Sequence, residues 1–271
     1  MAPFLLLRMK EITHLRPLVV LSNDDGVDAP GLQVLVAALQ DRCDVLVAAP
    51  MEERSASSHC VNMVAEWVIH RLSPDRYGVE GSPADCVYLA LCQLAPRPAS
   101  LVISGINRGF NLGTDVFYSG TVAAAAEGVI LGVPGIAVSA EASASARVLE
   151  RAARFTAALA MWVLSHRWAP RATLLNVNVP ARGTDAFSLG ALGARAYPRA
   201  ARIPGSIASG SLVRLERPRL VGTEGSEGQD ADIVRAGRIA LTPLRLDWTH
   251  PEETKYLSEN MRLDGFDATS L

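Results

Sequence analysis

A chain of 271 residues, almost half of them apolar and with a formal net charge of only -2, is long enough to bury a large core. It offers no polycationic face to a nucleic-acid duplex or an anionic membrane, so neither is an expected partner. Lysine occurs only at Lys10 and Lys255, which removes a P-loop lysine, an S-x-x-K base and a Schiff-base amine from the body of the chain. Negative charge on a ligand must then be met by arginine, backbone N–H or a metal ion.

The opening MAPFLLLRMK has a short apolar patch, no basic segment before it and no small-residue cleavage site, so it reads poorly as a signal peptide. No run approaches the roughly 20 apolar residues of a membrane helix. The expectation is a cytoplasmic protein with residues 1–16 as a loose extension. Cys43, Cys60, Cys86 and Cys92 form no C-x-x-C pair and read as reduced, buried thiols rather than zinc ligands or disulfide partners.

Runs rich in Val, Ile and Leu recur at 17–22 (PLVVLS), 44–49 (DVLVAA), 100–105 (SLVISG), 135–140 (GIAVSA) and 173–180 (TLLNVNVP). They lack clean alternation, as parallel strands covered on both faces do. Helical patterns fall between them at 31–40, 83–94, 121–131 and 143–165, the last read as a packing helix. Alternating strand and helix predicts an α/β fold with a Rossmann-like, doubly wound, mostly parallel sheet. Residues 61–81 break the rhythm as two antiparallel strands around a Ser73-Pro74-Asp75 turn. In GSPADC, Ser82 reads as a helix cap with Pro83 at the first position. From about 181 the helical pattern disappears and RIALTPLRL (238–246) reads as a strand. The division expected is a catalytic core over 17–180 and a β-rich appendage with a C-terminal arm over 181–271, with GTEGSEGQD (222–230) a loop.

Ligands of open α/β sheets bind beyond the carboxyl ends of the strands, and the polar motifs lie there. The first strand runs into Ser22-Asn23-Asp24-Asp25-Gly26, the second is followed by Glu52-Glu53-Arg54-Ser55, and the third by Gly105-Ile106-Asn107. Asp24, Asp25, the Ser55 hydroxyl and the Asn107 carbonyl form an all-oxygen set suited to Mg²⁺, Mn²⁺ or Ca²⁺ rather than zinc. Two adjacent carboxylates repel, and a cation between them relieves that repulsion. The competing readings are ordinary: an Asp-Gly turn with helix capping, a polar loop around Ser55, and a left-handed turn at Asn107. Further on, Ser119, Gly120 and Thr121 occupy the N-terminal cap of the helix VAAAAEG, where free N–H groups and the helix dipole favour a phosphate. Simple capping is again the alternative.

Taken together, SNDDGVDAPG, APMEERSASS, GSPADCVYLA, SGINRGFNLGTDVFYSGTVAAAAEG and ALTPLRLDWT resemble the SurE family, the survival protein E nucleotidases, over about residues 17–250. The resemblance implies a phosphatase that uses one divalent metal cation, Mg²⁺ or Mn²⁺, on nucleoside 5′- and 3′-monophosphates and on short polyphosphate. It also implies a Rossmann-like core with a C-terminal β-hairpin and arm exchanged between subunits of a homodimer or homotetramer. By motif position the metal ligands would be Asp24, Asp25, Ser55 and Asn107, with Asp24 and Asp25 catalytic, and Asn111, Ser119, Gly120 and Thr121 on the substrate phosphate. The chain departs from the family pattern at Met51, Glu52, Glu53 and Ala56, where the pattern reads nearer D-R-N-R-S-G, and over 199–230. A non-catalytic, metal-stabilised nucleotide-binding protein is the alternative. A dinucleotide-dependent oxidoreductase is disfavoured because G-x-G-x-x-G is absent.

Overall fold

The computed structural model describes residues 16–62, 66–169, 172–193 and 228–261. Its strands are β1 (Leu18–Ser22), β2 (Asp44–Pro50), β3 (Ile69–Ser73), β4 (Arg76–Val79), β5 (Leu101–Arg108), β6 (Gly135–Ala140), β7 (Thr173–Val179), β8 (Phe187–Leu189) and β9 (Ile239–Arg245). They form one sheet in the order β3-β4-β2-β1-β5-β6-β7-β9-β8. From β4 to β7 every pairing is parallel. β3 on β4 and β9 on β7 are antiparallel, and β8 runs parallel to β9.

Helices cover both faces: α1 (Pro30–Leu39), α2 (Pro83–Leu89), α3 (Gly120–Ile130) and α4 (Ala146–Ser165); the short α5 (Asp230–Arg235) and the exposed α6 (Pro251–Asn260) follow toward the C-terminus. The two-residue period of β1 divides its side chains between these layers. Val19 and Leu21 pack with Leu32 and Leu35 of α1 and with Leu149, Ala153 and Val163 of α4. Leu18 and Val20 meet Cys86 and Val87 of α2 and Ala124 of α3 on the opposite face. This two-sided burial is why the strand sequences show no alternation.

Local signals explain the helix starts. Pro30 opens α1, where its missing N–H costs nothing. α2 begins with Pro83 and a capping box in which Ser82 and Asp85 satisfy each other's backbone N–H. Gly31 brings the first turn of α1 against β5, since a Cβ there would lie 2.2 Å from the Ile106 carbonyl oxygen.

The sheet's topology places the site. From β1 the chain moves outward through β2 to β4, then returns to β5 on the other side of β1 and continues to β6 and β7. The carboxyl ends of β1 and β5 therefore border the switch-point crevice, where ligands of doubly wound sheets bind.

Three expectations need adjustment. The described strands after residue 181, β8 and β9, extend the core sheet, and α5 and α6 are helices within the stretch expected to be β-rich. Cys43 and Cys86 are buried as expected, but Cys60 and Cys92 are exposed. Asn107 belongs to β5 instead of a left-handed turn, the positive φ values falling on its neighbours Gly105 and Gly109. The expected extension at 1–15 and most of the hairpin region 199–230 lie outside the described residues. Among the described residues no helix is long and apolar enough to cross a membrane.

Candidate active site at the switch point

The loop after β1 is held in a tight turn by Asn23, whose side-chain amide donates to the Gly26 carbonyl at 2.8 Å, with Gly26 at a φ of 101°. It is tied to the loop after β2 by two backbone bonds, Val27 N–H to Pro50 O at 2.7 Å and Arg54 N–H to Asp24 O at 2.8 Å. The acid pair thus sits on a doubly braced turn.

Asp24 is 4% exposed and lies at the N-terminus of α3. Its Oδ1 accepts the Thr121 hydroxyl at 2.5 Å, and its carboxylate also takes the Thr121 backbone N–H. Burial nevertheless pushes the Asp24 carboxyl up to about 6; the Thr121 hydroxyl opposes the rise and the charge of Asp25 adds to it. Asp25 is half-buried, and its pKa is also raised. Burial is the main cause, the Arg108 backbone N–H lowers it, Glu53 raises it and the Arg108 charge lowers it. Both neighbouring acids are therefore held in surroundings that disfavour their charge.

Gly120, the first residue of α3, allows three elements to converge here. A Cβ on Gly120 would lie 2.9 Å from Ser57 Oγ, 3.0 Å from Asp24 Cβ and 3.1 Å from Pro83 Cγ. Ser57 Oγ is buried and has no hydrogen-bond partner. An unsatisfied buried hydroxyl costs about 1–3 kcal/mol, so this group is poised for a partner at the end of α3.

The other expected site residues divide into two groups. Ser55 is exposed on the loop after β2, and its hydroxyl donates to Glu53 Oε1 at 2.6 Å, which leaves its oxygen lone pairs available. Asn107 ties its side-chain N–H to Gly109 O at 2.8 Å, leaving the carbonyl oxygen as the end available to a ligand. Ser119 caps α3 by accepting the Val122 N–H at 3.1 Å.

Asn111 and Thr121 are both turned toward the protein. Asn111 donates to Ser139 Oγ at 2.8 Å, and its backbone N–H and C=O are held by Asn178 and Asn176 from β7. It fastens the segment leading to α3 onto β6 and β7. Thr121 is fully buried and gives its hydroxyl to Asp24 rather than to the crevice.

Three features escaped the sequence reading. Ser57 looked like one serine among several in R-S-A-S-S-H. His59 Nε2 bonds Glu127 Oε2 of α3 at 2.8 Å, a pairing 68 positions apart that no local pattern announces. Asp230, fully buried, accepts the Gly113 N–H at 2.8 Å and thereby holds the turn that precedes α3.

The fold and the crevice define a doubly wound α/β protein with an acid pair and a helix N-terminus meeting at its switch point. The family model for survival protein SurE matches residues 19–199, and the chain belongs to the SurE family. It is 39% identical over 251 residues to the 5′-nucleotidase SurE of Sorangium cellulosum, covering 86% of this chain and 91% of that protein. It is 40% identical over 247 residues to the 5′-nucleotidase SurE of Alkalilimnicola ehrlichii, covering 85% and 90%. Among solved structures, the SurE protein from Aquifex aeolicus superposes with a TM-score of 0.77 at 34% identity, covering 90% of this chain and 99% of that one.

Proposed function

We propose that this chain, a 5′-nucleotidase of the SurE family, hydrolyses nucleoside 5′-monophosphates with one divalent cation, Mg²⁺ or Mn²⁺, held by Asp24, Asp25, Ser55 and Asn107. The reaction class follows from the relatives named as 5′-nucleotidases. The observation that carries the metal is the acid pair itself: two adjacent carboxyls, both raised by burial, with no salt bridge to either among the described residues. Among the described residues no three His, Cys, Asp or Glu side chains cluster around one point; in this reading Ser55 and Asn107 add neutral oxygens to the acid pair. The donor chemistry fits a hard cation and not zinc. When bound, the cation supplies positive charge against the phosphoryl oxygens and acidifies a water.

The chain's own groups perform the rest. The free N–H of Gly120, the positive end of α3 and the Ser57 hydroxyl receive the non-bridging phosphoryl oxygens as they gain charge. Thr121 acts through Asp24, fixing that carboxylate with its hydroxyl and N–H. Asp25, less buried and free of Thr121, accepts the proton of the attacking water. The water oxygen bonds to phosphorus, the P–O5′ bond breaks, the departing oxygen takes a proton from solvent to become the nucleoside alcohol, and Asp25 returns its proton to solvent.

The reading extends to 3′-monophosphates and short polyphosphate, and to a cytoplasmic homodimer or homotetramer with exchanged C-terminal segments. α6 supports the exchange: none of its residues is buried, and a helix of ten residues is marginal in water without a packing partner. Release of phosphate from AMP, from 3′-AMP and from tripolyphosphate after chelation and restoration with Mg²⁺, Mn²⁺ or Ca²⁺ tests the activity. No turnover with any cation, alongside retained AMP binding, would identify a binding protein instead. Light scattering tests the assembly.

A further inference from the structure

We infer that the cavity running beside α3 is the nucleoside subsite and that the base of the substrate stacks on Trp248; this rests on the phosphatase reading above. The cavity, about 440 Å³, starts at Ser119, the cap of α3, and continues along Val122, Ala123 and Ala126. That spacing is one stripe of a helix, so the cavity follows α3 for about 10 Å, the span of a ribose and base extending from a phosphate at the helix end. The two alanines keep this wall low. Leu174 of β7 and Leu244 of β9 line the cavity with them, giving an apolar slot suited to a flat aromatic ligand.

Two aromatic residues contribute to the same lining. Phe117 lies just before Ser119, and its ring meets Trp248 edge-on, with centroids 5.8 Å apart and planes at 83°. This contact uses little of the indole, and Trp248 remains 80% exposed. A base sliding past Ser119 can therefore cover an indole face that water now wets. His59 also borders the slot, fixed by its bond to Glu127 at 2.8 Å; Arg245 lines it too, paired with Asp247 at 3.2 Å, and no carboxylate is among the described lining residues. A phosphate ester of a nucleoside matches each part: anion at the helix end, sugar beside Ser119, base against the indole.

The test compares AMP with ribose 5-phosphate, which carries the same ester without a base, using the full chain with divalent cation. Stacking on an aromatic side chain is worth roughly tenfold in affinity. Trp248→Ala should therefore lower the ratio of kcat/KM for AMP to that for ribose 5-phosphate by about tenfold, and Trp248→Phe should retain most of it. An unchanged ratio in Trp248→Ala overturns the assignment. So does an equal loss on both esters accompanied by a changed molecular mass in light scattering, which would make the slot a contact between copies of the chain. If the wild type hydrolyses neither ester, the activity reading fails, and adenosine titration decides the subsite. Quenching of tryptophan fluorescence that is lost in Trp248→Phe supports it, and absence of quenching in the wild type overturns it.

Discussion

Two buried aspartates stand on either side of the segment leading into α3, and they are treated oppositely. Asp230 is fully buried, and its carboxylate accepts three backbone N–H groups, from Gly113, Gly193 and Ala231, at 2.8, 3.0 and 2.8 Å. Asp24 is nearly as buried at 4% exposure, yet it faces a second acid, and burial outweighs the help of Thr121. Buried charge matched by donors serves as structure; buried charge left short of positive partners marks a place prepared for something that arrives later. Asp230 belongs to the frame, and the proposed function gives Asp24 to the chemistry.

The largest expected effect lies in activity. Asp24→Asn should reduce phosphate release by about a hundredfold or more, the scale of losing a principal electrostatic group in a reacting site. Asp230→Asn should sharpen the contrast by failing in stability instead. Removing a charge that serves three N–H groups should cost about 3 kcal/mol, read as a lower denaturant midpoint with an unchanged slope.

Next comes a pH dependence in chelator. The folded pKa of Asp24, about 6, exceeds its ordinary 3.8, so the folded chain binds the extra proton between those values. Its contribution is complete below about pH 4 and is lost as pH rises through 6, roughly 3 kcal/mol in all. Unfolding followed from pH 4 to 7 in wild type and in Asp24→Asn should show the steeper decline in the wild type, the variant keeping only the smaller part that the raised Asp25 carboxyl contributes. A parallel decline in both would assign it elsewhere.

The smallest effect concerns Ser57. Because its hydroxyl has no partner, Ser57→Ala should leave the melting temperature unchanged or raised while lowering kcat/KM a few-fold, about 1 kcal/mol. A fall in melting temperature would make Ser57 a structural residue.

The central strands were legible because burial on both faces leaves long apolar runs, and the acid pair stood out as charge at the tip of such a run. Ser82 and Ser119 were readable as caps because capping is local in sequence. The roles of Thr121 and Asp230 were not, since Thr121 meets Asp24 across 97 positions and Gly113 meets Asp230 across 117. Only the folded sheet creates those pairings. Helix α6 was missed for another reason: with no buried face it has no apolar stripe for a periodicity argument to find. Thr121 and Asn111 also show that a residue in the right motif can serve the site from behind, by holding Asp24 or the approach to α3.

The account depends on the acid pair being unfavourable until a cation joins it. The direct measurement is the melting temperature at pH 7 of wild type and Asp24→Asn, each in chelator and each with excess Mn²⁺. The account predicts that the variant in chelator melts at or above the wild type, and that Mn²⁺ raises the wild type but barely moves the variant. A variant that melts lower in chelator, or a wild type indifferent to Mn²⁺, would contradict it.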